Sequence, residues 1–143
     1  MFFLEKPEGF HSQMDVVGCY VEHKGKFLFL LRHSKKSQGN TWCVPGGKVE
    51  VGEKIQSAAV RELQEESGIC VQEKDLVFFR KIYKTIETKS FCFHMFYIKL
   101  DTVPEVKLSP TEHTDFVWAP LDQLPFPIMI DEDHYTQMLK EIL

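Results

Sequence analysis

No CxxC pair and no regular spacing links the four cysteines, Cys19, Cys43, Cys70 and Cys92, which sit mostly within apolar stretches. That argues against a disulfide framework or a thiolate zinc site and points to small buried thiols in a reducing, cytoplasmic setting. No apolar run approaches the length of a membrane span, and Met1–Pro7 is too short and too soon charged for a signal peptide, so no membrane partner is expected. No basic run is present either. With 17 basic and 21 acidic residues the net charge is −4, which argues against duplex nucleic acid as the main partner. A negative protein that handles an anionic substrate needs local cations, such as a bound metal and a few Lys or Arg. Internal repeats, low-complexity segments and linkers are also missing.

What is present fits one domain over residues 1–143, long enough for a sizeable core. Its 43% hydrophobic and 27% charged residues are those of a globular chain. The rest is organised around Gly47 to Ile69, GKVEVGEKIQSAAVRELQEESGI. A glycine loop, Pro45-Gly46-Gly47, lets backbone approach a ligand closely and runs on to Gly52-Glu53. A helical pattern follows from about Lys54 to Ser67, with Gly68 where a C-cap glycine belongs. A helix turns roughly 100° per residue, so Glu62, Glu65 and Glu66 share a sector of about 100°. Ile55, Ala59 and Leu63 form the apolar stripe, with Glu62 and Glu66 beside it and Ser57 and Gln64 opposite. A solvated acidic face is the ordinary reading of such charges. Carboxylates at the edge of a buried stripe are costly without a partner, however. An Arg61–Glu65 pair at i,i+4 would account for only one of them. Hard divalent cations such as Mg²⁺ take oxygen ligands of this kind.

The stretch resembles the Nudix box: Gly47, five residues, Glu53, seven residues, then Arg61-Glu62-Leu63-any-Glu65-Glu66-any-Gly68-Ile69. Every fixed position is filled. The resemblance implies an α/β/α sandwich with a mixed β-sheet and a pyrophosphohydrolase acting on a small nucleotide with Mg²⁺, or Mn²⁺ in its place. It implies metal ligands at Glu62, Glu65 and Glu66, with a main-chain carbonyl of Gly46 or Gly47. It also implies an ion pair of Glu53 with Arg61 that fixes loop against helix. Family members often bring a further carboxylate from a later loop, and Glu112 resembles that residue, with Asp115 the fallback. Glu62, Glu65 and Glu112 all stay open as the general base. A homodimer also stays open.

Taken in order, Met14 to His23 and Phe27 to Arg32 read as a hairpin turned at His23-Lys24-Gly25-Lys26. The basic loop after Arg32 is either solvated or meets phosphate oxygens; the substrate-binding candidates are Arg32, Gly46, Gly47 and Lys48. Leu76 to Glu87 and Ser90 to Leu100 read as two further strands, the second covered on both faces, with His94 a core histidine rather than a ligand. Thr114 to Ala119 is a short strand, and Asp131 to Leu143 a terminal helix carrying Met138, Leu139 and Leu143. Strands interrupted by one helix and closed by another fit a mixed sheet between helices. Among family substrates, Thr85 stands where ADP-ribose-type members tend to carry proline. Ile86 stands where dinucleoside polyphosphate hydrolases tend to carry tyrosine. Phe126-Pro127 lacks the asparagine of the oxidised-guanine hydrolases, so Asp131 or backbone would read a base; Phe29, Phe91 and Phe126 either stack on it or, as most aromatics in such runs do, belong to the core. The balance favours a nucleoside triphosphate cleaved to monophosphate and pyrophosphate. A binding domain without turnover would be expected to lack Arg61, Glu65 or Glu66, and all three are present.

Overall fold

The computed structural model describes residues 1–143. Eight strands form one sheet: β1 (Phe2–Phe3), β2 (Met14–His23), β3 (Lys26–Arg32), β4 (Trp42–Cys43), β5 (Gly46–Lys48), β6 (Val77–Ile86), β7 (Lys89–Lys99) and β8 (His113–Ala119). The helices are α1 (Ile55–Ser67) and α2 (Glu132–Ile142). The main path runs β1-β6-β7-β2-β3-β4, with β5 on β2 and β8 on β3. Only β2 and β7 are parallel, in register from Met14↔Phe91 to Glu22↔Lys99. The sheet is therefore mixed, as expected. No helix is long and apolar enough to cross a membrane.

The period-two alternation of the central strands builds two separate cores. Val17, Cys19 and Val21 of β2, Leu28 and Leu30 of β3, and Phe96 and Ile98 of β7 pack toward α1, which contributes Ala58, Ala59 and Leu63. Tyr20, Phe27, Phe29 and Met95 pack with Tyr135 and Leu139 of α2. A helix thus covers each face. The α1 stripe lies where the sequence places it, although Ile55 is only partly buried. Gly68 closes α1 in the left-handed region at φ 75°, its N–H donating to the Gln64 carbonyl at 2.8 Å.

The β2–β3 ladder is confined to the turn, at Glu22↔Phe27 and His23↔Lys26. Lys24 and Gly25 both take positive φ there, as a tight hairpin turn requires. Farther along, β2 pairs with β5, and β3 pairs with β4 and β8. This parting of the strands brings the glycine loop, the end of β3 and the start of β8 to one place.

Several expectations need adjustment. Phe2–Phe3 pairs with Tyr83 and Lys84 as an edge strand, too short for a sequence pattern to reveal. Cys70 is exposed, just beyond the helix cap, while the other three free cysteines are buried. Leu143 is exposed at the chain end and Leu139 carries the α2 contact. Phe91 and Phe93 of β7 are only half-buried, because they line a cavity. His94 is a core histidine, held by Asp15 at 2.9 Å.

Leu63 is fully buried between α1 and the sheet. Leu63→Ala should lower unfolding free energy by about 2–5 kcal/mol in urea titration. A loss below about 0.5 kcal/mol, the range of an ordinary surface substitution, would contradict this packing.

Candidate active site

The site begins with two glycines whose lack of a side chain is used directly. A Cβ on Gly46 would stand 2.2 Å from the Val17 carbonyl oxygen, and one on Gly47 would stand 2.4 Å from the Glu62 carboxyl carbon. The backbone of β5 can therefore lie against both β2 and α1. In return, the Gly46 N–H donates to Glu66 Oε1 at 2.7 Å. Glu66 is only 6% exposed. Burial pushes its carboxyl up to about 9; the Gly46 N–H opposes this, and the Glu62 and Glu112 charges add to it.

Glu112 arrives from the loop before β8, with an oxygen within 4.8 Å of a Glu66 oxygen and 3.7 Å from Lys36 Nζ. Its neighbour His113, buried at the start of β8, completes a group of three. One donor atom from each of Glu66, Glu112 and His113 lies within 4.8 Å of the others. His113 Nε2 stands 3.7 Å from Cys43 Sγ, and Nδ1 is buried with no hydrogen-bond partner. Burial, with the Arg32 cation next, lowers the imidazole to about 4, so the ring is neutral near pH 7. Two carboxyl groups this close need a proton or a cation between them. Two carboxylates, one buried and one half-buried, with a buried imidazole nitrogen fit a divalent metal.

The other expected residues gather around Arg61. Its Nε and Nη2 grip Glu53 at 2.8 and 3.0 Å, and Nη1 reaches Glu62 at 2.8 Å and Glu65 at 3.2 Å. Nη2 also donates to the Lys48 carbonyl at 2.9 Å. The arginine thus clamps helix to loop and takes two of the three helical carboxylates. The i,i+4 pair, expected to account for Glu65 alone, is one arm of a fork that also holds Glu62. Glu62 turns inward and Glu65 outward, with side chains 12% and 56% exposed. Burial raises the Glu62 carboxyl above its ordinary value against the pull of Arg61.

A cavity of about 160 Å³ opens beside the group of three. Glu66, His113, Arg32, Gly46 and Gly47 line it, with apolar walls from Val16, Ile86, Phe91 and Phe93. Arg32 spends its Nε on the Ser37 carbonyl at 2.9 Å. Lys48 does not line the cavity; its side chain is exposed, and its backbone carbonyl serves Arg61. Lys84, Glu132 and Tyr135 contribute a polar part of the lining. Lys84 Nζ donates to the Tyr135 hydroxyl at 2.6 Å and stands 3.4 Å from Asp131. Tyr20 donates to Glu132, whose carboxyl burial pushes up to about 7 against the Tyr20 and Lys84 contacts.

Of the aromatics considered for stacking, Phe91 lines the cavity, Phe29 is sealed in the core and Phe126 is 90% exposed. Sequence reasoning missed His113, whose adjacency to Glu112 was the available signal. It also missed Lys84, Glu132 and Tyr135, which meet only through the fold.

A family model described as NUDIX domain matches residues 12–139. Among curated proteins, the chain is 30% identical over 120 residues to the CTP pyrophosphohydrolase of Escherichia coli (strain K12), spanning 82% of this chain and 84% of that one. It is 44% identical over 59 residues to the m7GpppN-mRNA hydrolase NUDT17 of Xenopus laevis; that match spans 40% of this chain and only 20% of the longer relative. Among solved structures, a MutT NUDIX hydrolase from Burkholderia pseudomallei superposes with a TM-score of 0.79 at 21% identity. The likeness covers 88% of this chain and 97% of that one, and it is a likeness of fold.

The Arg61 fork has a measurable consequence. Its hydrogen bonds, with the Glu50 N–H next, lower the Glu53 carboxyl from 4.5 to about 2. The sign is that of a depressed acid: the pair's contribution to stability is complete above the ordinary carboxyl value and disappears as pH falls toward 2. Carboxyl ¹³C titration should place the Glu53 midpoint near 2 in the native protein, and Arg61→Ala should return it toward the ordinary range. An unchanged midpoint in that variant would contradict the clamp.

Proposed function

The chain belongs to the Nudix family, and from that premise we propose that it hydrolyses a nucleoside triphosphate to the monophosphate and pyrophosphate, acting as one such domain over residues 1–143. The observation that carries this reading is the meeting of Glu66 and Glu112, from a helix and a loop far apart in sequence, at the cavity that holds His113 and Arg32. A diphosphate bridge resists water because its anionic oxygens repel a nucleophile. Family members use divalent metal ions, and here Glu66 and Glu112 would hold one, with Glu62 the nearest further carboxylate of α1. Mg²⁺, with Mn²⁺ as substitute, suits the carboxylate oxygens. Such an ion, when bound, offsets phosphate charge and makes a water more acidic.

The remaining work falls to the chain itself. The Gly46 N–H keeps one Glu66 oxygen fixed, so that carboxylate is pre-aimed rather than mobile. Arg61 occupies oxygens of both Glu62 and Glu65, which favours Glu112, through the oxygen it would not lend to the cation, as the group that accepts the water proton. Glu112 is the more exposed of the close pair, its side chain 38% open. Arg32 lies along the cavity wall and would meet phosphate oxygens through its Nη atoms. The apolar walls beyond, with Phe91 and Phe93, would receive the base. Similarity to a CTP pyrophosphohydrolase over most of both chains supports a triphosphate.

Assaying pyrophosphate and phosphate release across nucleoside triphosphates, dinucleoside polyphosphates and ADP-ribose, with Mg²⁺ or Mn²⁺, tests the proposal. Pyrophosphate from one triphosphate class is expected, with Glu112→Gln slowed by roughly 10²–10⁴-fold. Activity confined to dinucleoside polyphosphates or ADP-ribose would overturn the substrate. Wild-type rates in Glu112→Gln would overturn its role as base.

A further inference from the structure

His113 has no part in the hydrolysis described above, yet it is only 3% exposed and sits among the reacting carboxylates. An ordinary core histidine has its ring nitrogens satisfied. His94 is such a residue, its Nε2 on Asp15 at 2.9 Å. His113 differs, because its Nδ1 is buried without any partner. Its Nε2 meets a thiol sulfur, Cys43 Sγ, at 3.7 Å, a weak hydrogen-bonding group. Donating Nε2–H to that sulfur leaves the Nδ1 lone pair free, and metal-bound histidines characteristically give away their other N–H in this manner.

The backbone also aims this residue. His113 pairs with Arg32 across a register shift between Leu31 and Arg32, and bulges of this kind re-aim a side chain. Its own N–H is tied to the Ser109 carbonyl at 2.9 Å. The result is an imidazole with a ring nitrogen within 4.8 Å of oxygens of both Glu66 and Glu112.

We propose that His113 supplies a nitrogen ligand to the divalent cation held by Glu66 and Glu112. The inference rests on the metal site assigned above and changes its character. An all-oxygen site suits Mg²⁺, whereas one imidazole nitrogen shifts preference away from Mg²⁺ toward the transition metals, least for Mn²⁺ and more for Co²⁺ and Ni²⁺. His113 is then a determinant of which metal the site takes, and Cys43 positions it.

The test uses the full chain loaded with Mn²⁺ and read by pulsed EPR, without substrate. Protein with natural histidine should show modulation from a directly bound ¹⁴N, replaced by the ¹⁵N pattern when the chain is made with [¹⁵N]histidine. His113→Gln should lose that signal and lower the preference for Mn²⁺ over Mg²⁺ by on the order of tenfold. His33, whose backbone N–H bonds the Glu112 carbonyl at 2.9 Å, is the spatial neighbour most able to mimic the result. His33→Gln should keep the nitrogen signal, which preserves the test even if His113→Gln does not fold; its loss there would overturn the assignment to His113. Bound Mn²⁺ with no directly coordinated nitrogen would overturn this inference alone. No bound Mn²⁺ at all would overturn the metal site on which it rests.

Discussion

The buried carboxylate of Glu66 and its bond from the Gly46 N–H are the constraint on which the site depends. A carboxylate on the apolar side of a helix is expensive to keep charged. Here it faces a backbone donor supplied by a loop that only glycine could bring so close. The contact locks β5 to α1 and leaves Glu66 next to a second carboxylate, Glu112, from a distant loop. Burial raises the proton affinity of Glu66, so a proton would compete with the proposed cation for one position. Such poise at the edge of a cavity marks a functional site more than a structural ion pair.

Arg61 solves a different problem. Four acidic side chains, Glu50, Glu53, Glu62 and Glu65, converge on its guanidinium, with separations from 2.8 to 3.9 Å. A planar fork can serve several oxygens in fixed directions where a lysine could not. Its partners are unequal: Glu53 and Glu62 are shielded, while Glu50 and Glu65 are exposed and contribute little to stability through solvent-screened pairing. The arginine therefore divides the acidic residues of the box into a clamped set and a cavity-facing set.

The helix, its glycine cap and most strands were legible because each depends on local periodicity. Met14–His23 reads as a strand and is one, since its alternating side chains feed two cores. The Glu53–Arg61 pair was legible through resemblance and lies where that resemblance implies. What escaped was long-range. The parallel pairing of β2 with β7 cannot be read from either strand alone. Lys84 meets Tyr135 across 51 positions of sequence, and neither residue carries a local sign of that contact. His113 was overlooked for another reason: the strand reads from Thr114, which leaves the histidine in the preceding loop, and its burial and unpartnered nitrogen emerge only in the fold. The share of Glu62 in the Arg61 fork was missed because neighbours in sequence on a helix do not ordinarily face each other.

The central claim is that Glu66 is the carboxylate around which a divalent cation is held. Mn²⁺ titration of the wild-type chain and of Glu66→Gln, with unfolding curves for both, tests it most directly. A glutamine oxygen can still accept the Gly46 N–H, so the fold should survive. Mn²⁺ affinity should fall by roughly 10–100-fold or more at little change in metal-free stability. Equal Mn²⁺ affinity in the two proteins would contradict it.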